Sequence, residues 1–85
     1  MNGELMLRQA ANVVANRRAA YGEPRSSMDL VARRWSITLG RPVTPAQVAL
    51  CLIDLKLARL AHDPTHLDSI VDIAGYAAVL REVSQ

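Results

Sequence analysis

Eighty-five residues suffice for one domain, and an apolar share of 51% with only 4% aromatics requires a core of Leu, Val, Ile and Ala. The net charge of +2 is too small to imply nucleic-acid binding, and no stretch is apolar for the length of a membrane span. A single cysteine, Cys51, excludes a disulfide framework and is expected to be a small buried hydrophobe in a reducing, cytoplasmic setting; the amino terminus lacks a secretory pattern.

The first predicted helix covers residues 4–20, where Leu7, Ala10, Ala11, Val14 and Tyr21 recur at the spacing of one helical face. Gly22 takes the position of a left-handed C-cap and Pro24 follows it. Arg25-Ser26-Ser27 then supplies an N-cap for a second helix over about residues 27–39, with a stripe at Met28, Val31, Ala32, Trp35 and Leu39. Gly40 ends it, and Arg41-Pro42-Val43 connects onward.

Thr44, Pro45 and Gln47 form the clearest helix start in the chain, a capping box with proline in the first turn. From Val48 to Ala61 the third helix is apolar nearly all round, as befits the central helix of a bundle or a subunit interface. Asp63-Pro64 stops it, and Thr65 with Asp68 begins the fourth helix. Residues 1–85 therefore read as a single all-α domain, four helices in two hairpins with no repeat or linker. Burial stabilises by about 25 cal/mol per Å². With so short and Ala-rich a core, and with so apolar a third helix, a homo-oligomer is expected.

Charge divides the chain unevenly. Residues 1–42 carry seven Arg against Glu4, Glu23 and Asp29, while residues 43–85 carry Lys56, Arg59 and Arg81 against five acids. The two halves can complement each other within the fold or between subunits, or enclose a phosphate–metal ligand. Arg33-Arg34 before a turn and a helix suggests a DNA-binding helix-turn-helix. The would-be recognition helix, Pro45 to Leu55, offers essentially no side chain able to read bases, so nucleic acid is not an expected partner.

On helix four, Asp68, Asp72, Gly75 and Tyr76 share one stripe, opposite Leu67, Ile70, Ile73, Ala77 and Leu80. Carboxylates at i and i+4 repel unless a cation neutralises them, and such a pair can hold Mg²⁺ against phosphates. The plainer reading is a helix-favouring Asp68 beside a solvated Asp72. Asp54 lies among Leu50, Cys51, Leu57 and Ala58, so it is expected to be shielded and paired with an Arg, a metal or a Tyr hydroxyl. Lys56 and Arg59 point about 140–200° away from it, and a shared ligand would need a second subunit. Lys56 reads more plainly as part of a solvated stripe. Gly75 in mid-helix costs roughly 1 kcal/mol relative to Ala, which suggests close approach of another helix or a ligand. His62 and His66 flank the proline corner as conceivable metal ligands, while Tyr21 and Trp35 could stack a base, Trp35 more simply serving the core.

Arg18-Ala-Ala-Tyr21-Gly22, Trp35, Asp54-x-Lys56-x-x-Arg59 and Asp68-Ser69-x-x-Asp72-x-x-Gly75-Tyr76 together carry a resemblance covering most of the chain. It resembles small phage and prophage helical proteins related to the all-α nucleoside triphosphate pyrophosphohydrolases, the MazG-like group. That resemblance implies an oligomeric helical bundle in the host cytoplasm, with Mg²⁺ on helix carboxylates and water attacking a nucleoside triphosphate to release pyrophosphate. Asp54, Asp68 and Asp72 would hold the metal, Asp68 and Asp72 acting in catalysis. Lys56, Arg59, Tyr21 and Tyr76 would contact the nucleotide. The group's Glu-x-x-Glu pair is missing here, and Asp68 and Asp72 are four apart rather than three. The alternative expectation is a non-catalytic oligomer that binds a nucleotide signal or a host protein.

Overall fold

Local chemistry marks each helix end. A computed structural model describes residues 1–85 as four helices without strands: α1 (Gly3–Tyr21), α2 (Pro24–Leu39), α3 (Pro45–His62) and α4 (Leu67–Val83). No helix is long and apolar enough to cross a membrane. The Asn2 side chain accepts the Leu5 N–H at 2.9 Å and opens α1. At the other end Gly22 has φ 86° and ψ −171°, so it takes a positive φ without the left-handed helical conformation expected of a C-cap. A side chain there would be strained.

α2 begins three residues before its predicted start. Pro24 occupies the first turn with its φ already suited to a helix, and Glu23 precedes it without a side-chain cap. Ser27 is not the cap; its hydroxyl donates to the Tyr21 carbonyl at 3.2 Å. Ser36 organises the next turn, because Gly40, at φ 68°, donates to its carbonyl while Val43 donates to its hydroxyl, both at 2.9 Å. The capping box at Thr44 is formed in both directions, Gln47 N–H to Thr44 and Thr44 N–H to Gln47. At the α3–α4 corner Asp63 Oδ1 accepts both the Thr65 N–H (3.0 Å) and the Thr65 hydroxyl (2.7 Å). Thr65 is thereby occupied, and His66 caps α4 instead: its Nδ1 accepts from the Ser69 N–H at 3.3 Å and lies 2.7 Å from the Ser69 hydroxyl. That ring nitrogen is committed to the cap.

α4, rather than α3 as expected, is the central helix and packs against all three others. Its small inward residues explain this, since Ser69 and Gly75 are buried and let neighbours approach. A Cβ placed on Gly75 would lie 3.5 Å from Val14 of α1, so the close approach expected at that glycine is present. α3 and α4 make a true packed hairpin. α1 and α2 do not: they barely touch, α1 leaning on α4 alone and α2 on both α3 and α4.

One side of α3 is left uncovered. Leu50, Leu55 and Leu57 are each about half exposed, and Cys51, expected to be buried, is exposed with them. The apolar core is confined to Ala10, Ala32, Val48, Ala49 and Val71. The radius of gyration, 13.5 Å, exceeds the roughly 12 Å typical of a domain this long.

The Asp63 corner should leave a signature in acid. The two hydrogen bonds from Thr65 hold the Asp63 carboxyl below its ordinary value. Its contribution is therefore fully present above the ordinary carboxylate range and disappears as pH falls through the lowered value. Thermal unfolding should show Asp63→Asn less stable than the parent chain at pH 7, with the difference closing in strong acid. A constant difference at every pH would count against this.

Candidate functional site

The inner sides of α3 and α4 meet across one pair of charges. Lys56 Nζ lies 2.9 Å from Asp72 Oδ2, with the two side chains only 12% and 14% exposed. From α1, Arg17 Nη2 donates to Asp72 Oδ1 over a longer 3.4 Å and stays 49% exposed. A carboxylate so shielded needs compensation, and both oxygens have a cationic partner.

Above this pair the divergence of α1 and α2 leaves a cavity of about 590 Å³, within the range of small-molecule sites. Val14, Met28, Val31, Leu52 and Val79 supply apolar wall, and Gly75 opens the floor. Arg17, Arg18, Asp72 and Tyr76 are its main polar lining, with Tyr21, 76% exposed, at the rim.

Arg18 differs from Arg17 in being fully engaged. It pairs with Glu82 at the end of α4 and with Glu23 in the α1–α2 turn. The hydrogen bond to Glu82, helped by the charge of Glu23, raises its pKa further, so it is a permanent cation. Arg25 strengthens the same end, donating to the carbonyls of Glu82 (3.0 Å) and Gln85 (3.4 Å). Part of the basic front half thus complements the acidic back half within one chain.

The remaining candidates lie elsewhere. Asp54 is exposed, contrary to the expectation that it is shielded. Its neighbours Leu50, Cys51 and Leu57 are exposed too, because α3 turns Val48, Ala49 and Leu52 inward. Lys56, read as a solvated residue, is the one that points in. Asp68 is exposed in the first turn of α4, where its charge favours the helix. Arg59 lines a separate open groove with Leu55, Ala58, His62, Asp63 and His66. No three His, Cys, Asp or Glu side chains are placed to hold a metal ion, so Asp54, Asp68 and Asp72 do not form one three-carboxylate site. The donor set does not fit a resident Mg²⁺, since Asp72, the acid in the cavity, already has a cation at each oxygen. Of the residues anticipated for nucleotide contact, Tyr21 and Tyr76 reach the cavity and Lys56 acts beneath it through Asp72. Arg17 was missed and Arg18 was given no role at the site: Asp72 lies 55 residues from Arg17 and Glu82 lies 64 from Arg18, so no local spacing signals these contacts with α4.

The model of the family described as Domain of unknown function (DUF6378) matches residues 5–84. The chain is 36% identical over 80 residues to the Gene 55 protein of Mycobacterium phage L5, covering 92% of this chain and 51% of that protein. It is 31% identical over 81 residues to the Gene 55 protein of Mycobacterium phage D29, covering 94% of this chain and 54% of that one. The chain thus spans about half the length of these curated relatives. No solved structure matches.

Removing one side of the central ion pair should be costly, and removing both should not. Lys56→Met leaves Asp72 with only the longer Arg17 contact and should lower unfolding free energy by about 2–3 kcal/mol. Lys56→Met with Asp72→Leu should recover most of that loss in urea denaturation. Equal stability of the single variant and the parent would show that the pair contributes nothing to the fold.

Proposed function

The chain belongs to the DUF6378 family, and for this member we propose that the cavity between α1, α2 and α4 binds a nucleotide. One observation carries the reading: a single cavity combines an available guanidinium, a shielded carboxylate, two tyrosines and apolar wall. Arg17 is the available cation, because its contact with Asp72 is long and half its side chain faces solvent. A phosphate can draw it away at little cost and form a charge-assisted pair. Tyr76 and the rim residue Tyr21 offer ring faces for a base, and Asp72 can accept from a sugar hydroxyl or a base N–H.

The proposed activity is binding. Hydrolysis of the MazG-like kind needs carboxylates gathered around a metal, and no three ligating side chains are gathered here. We also infer that the protein self-associates. The isolated chain exposes 5867 Å², against about 5,000 Å² for a folded monomer of its mass. The excess of roughly 900 Å² is close to the roughly 800 Å² each partner contributes to an interface of ordinary size.

Calorimetry and thermal shift with ribo- and deoxyribonucleoside mono-, di- and triphosphates test the binding. At least one should raise the melting temperature by mass action, and it should do so in EDTA. Arg17→Ala should weaken that ligand about tenfold or more while leaving the unliganded protein's melting temperature nearly unchanged. Gly75→Ala should stabilise the free protein by up to about 1 kcal/mol, since the added methyl gains helix propensity, yet weaken the ligand by narrowing the cavity. Silence across the whole panel would remove the reading. Release of pyrophosphate with Mg²⁺, lost in Asp72→Asn, would replace it by the hydrolase.

A further inference from the structure

Two exposed helix faces remain outside the cavity or at its rim, and their charges are opposite. On α3 the face of Leu50, Cys51 and Leu57 carries Asp54 in its middle, with no partner within the chain. An acid there lies between large apolar side chains that are each about half exposed. On α2 the outward face carries Ile37, 82% exposed, and Leu30, 60% exposed where it also forms the rim of the cavity, with Arg34 between them at three and four residues' distance.

Among the front-half arginines Arg17, Arg18, Arg25 and Arg33 are all engaged within the chain. Arg8, Arg34 and Arg41 are not. Arg34 alone of these three is flanked on its own helical face by large exposed apolar side chains on both sides. Each face is thus an apolar patch with one unspent charge, and α2 and α3 are neighbours that pack on each other.

Building on the self-association inferred above, we propose that a second copy of this chain covers these faces, Asp54 of each copy pairing with Arg34 of the other. A two-fold contact makes the pair reciprocal, occurring twice per dimer. The surface excess matches one side of such an interface, and the opposite signs of the two faces fit like to unlike rather than like to like. Asp54 then gains the arginine partner that its apolar surroundings call for, supplied in trans. Cys51, beside it, becomes buried in the same step.

Charge exchange tests the pairing. Light scattering and sedimentation should show the parent chain dimeric at micromolar concentration. Asp54→Arg and Arg34→Asp should each raise the dimer dissociation constant by about tenfold or more, because each sets like charges together twice. Both positions are exposed in the single chain, so circular dichroism should show the helices retained. Mixing the two variants should restore the dimer, since the mixed pair contains one reversed and one original Asp–Arg contact. A monomeric parent chain would overturn both the self-association and the pairing. A dimer untouched by either single change, or single variants that fail to recover on mixing, would overturn the pairing and leave self-association standing.

Discussion

The contact between Lys56 and Asp72 determines which way α3 faces. That helix is apolar on almost every side, so hydrophobicity alone gives it several nearly equivalent orientations. A carboxylate on the buried side of α4 removes the ambiguity, because it is tolerable only opposite a cation, and Lys56 is the cation α3 can turn toward it at 2.9 Å. Once Lys56 points inward, Val48, Ala49 and Leu52 follow, and Leu50, Asp54 and Leu57 are turned outward. The uncovered face of α3 and the floor of the cavity are two results of the same pairing.

The cavity exists because α1 and α2 are not a hairpin in the packing sense. α1 rests on α4 and α2 on both α3 and α4, and they are held at one end by Arg18 and Arg25, which tie the α1–α2 turn region to the end of α4. Such a strap keeps the two arms together at their joined end while leaving the space between them open. The one weakly committed cation, Arg17, looks into that space from α1, whereas Arg18 one residue later is spent on structure. Adjacent residues of identical chemistry thus do different jobs because helical geometry sends them in different directions.

Helix number, the Thr44 capping box and the Asp63 corner are legible in the sequence because each is set by residues within a few positions of one another. What fails is whatever depends on packing partners. The apolar surroundings of Asp54 read as burial, but a helix apolar on all sides cannot disclose its buried side, and the neighbours proved to be exposed with it. Thr65 lost its capping role to His66 because Asp63 engaged it first, a competition among three polar side chains that spacing rules do not rank. Asp68, Asp72, Gly75 and Tyr76 read as one stripe on α4, and all but the exposed Asp68 face inward. The stripe's partners on α1 were invisible, being separated by more than fifty residues. The charge imbalance between the halves and the Arg18-Ala-Ala-Tyr21-Gly22 motif were the signals of them, and neither identified a partner.

The chain has a single lysine, and the structure hides it. Amine-directed reagents therefore meet a surface without an exposed lysine. Acylation of Lys56 requires α3 and α4 to part or Asp72 to let go, so the rate of its modification is a clock for that opening. A protein with ten cationic side chains ordinarily offers a lysine on every face. This one has arginine on its surface and keeps its one lysine as an internal reporter of whether the bundle is closed.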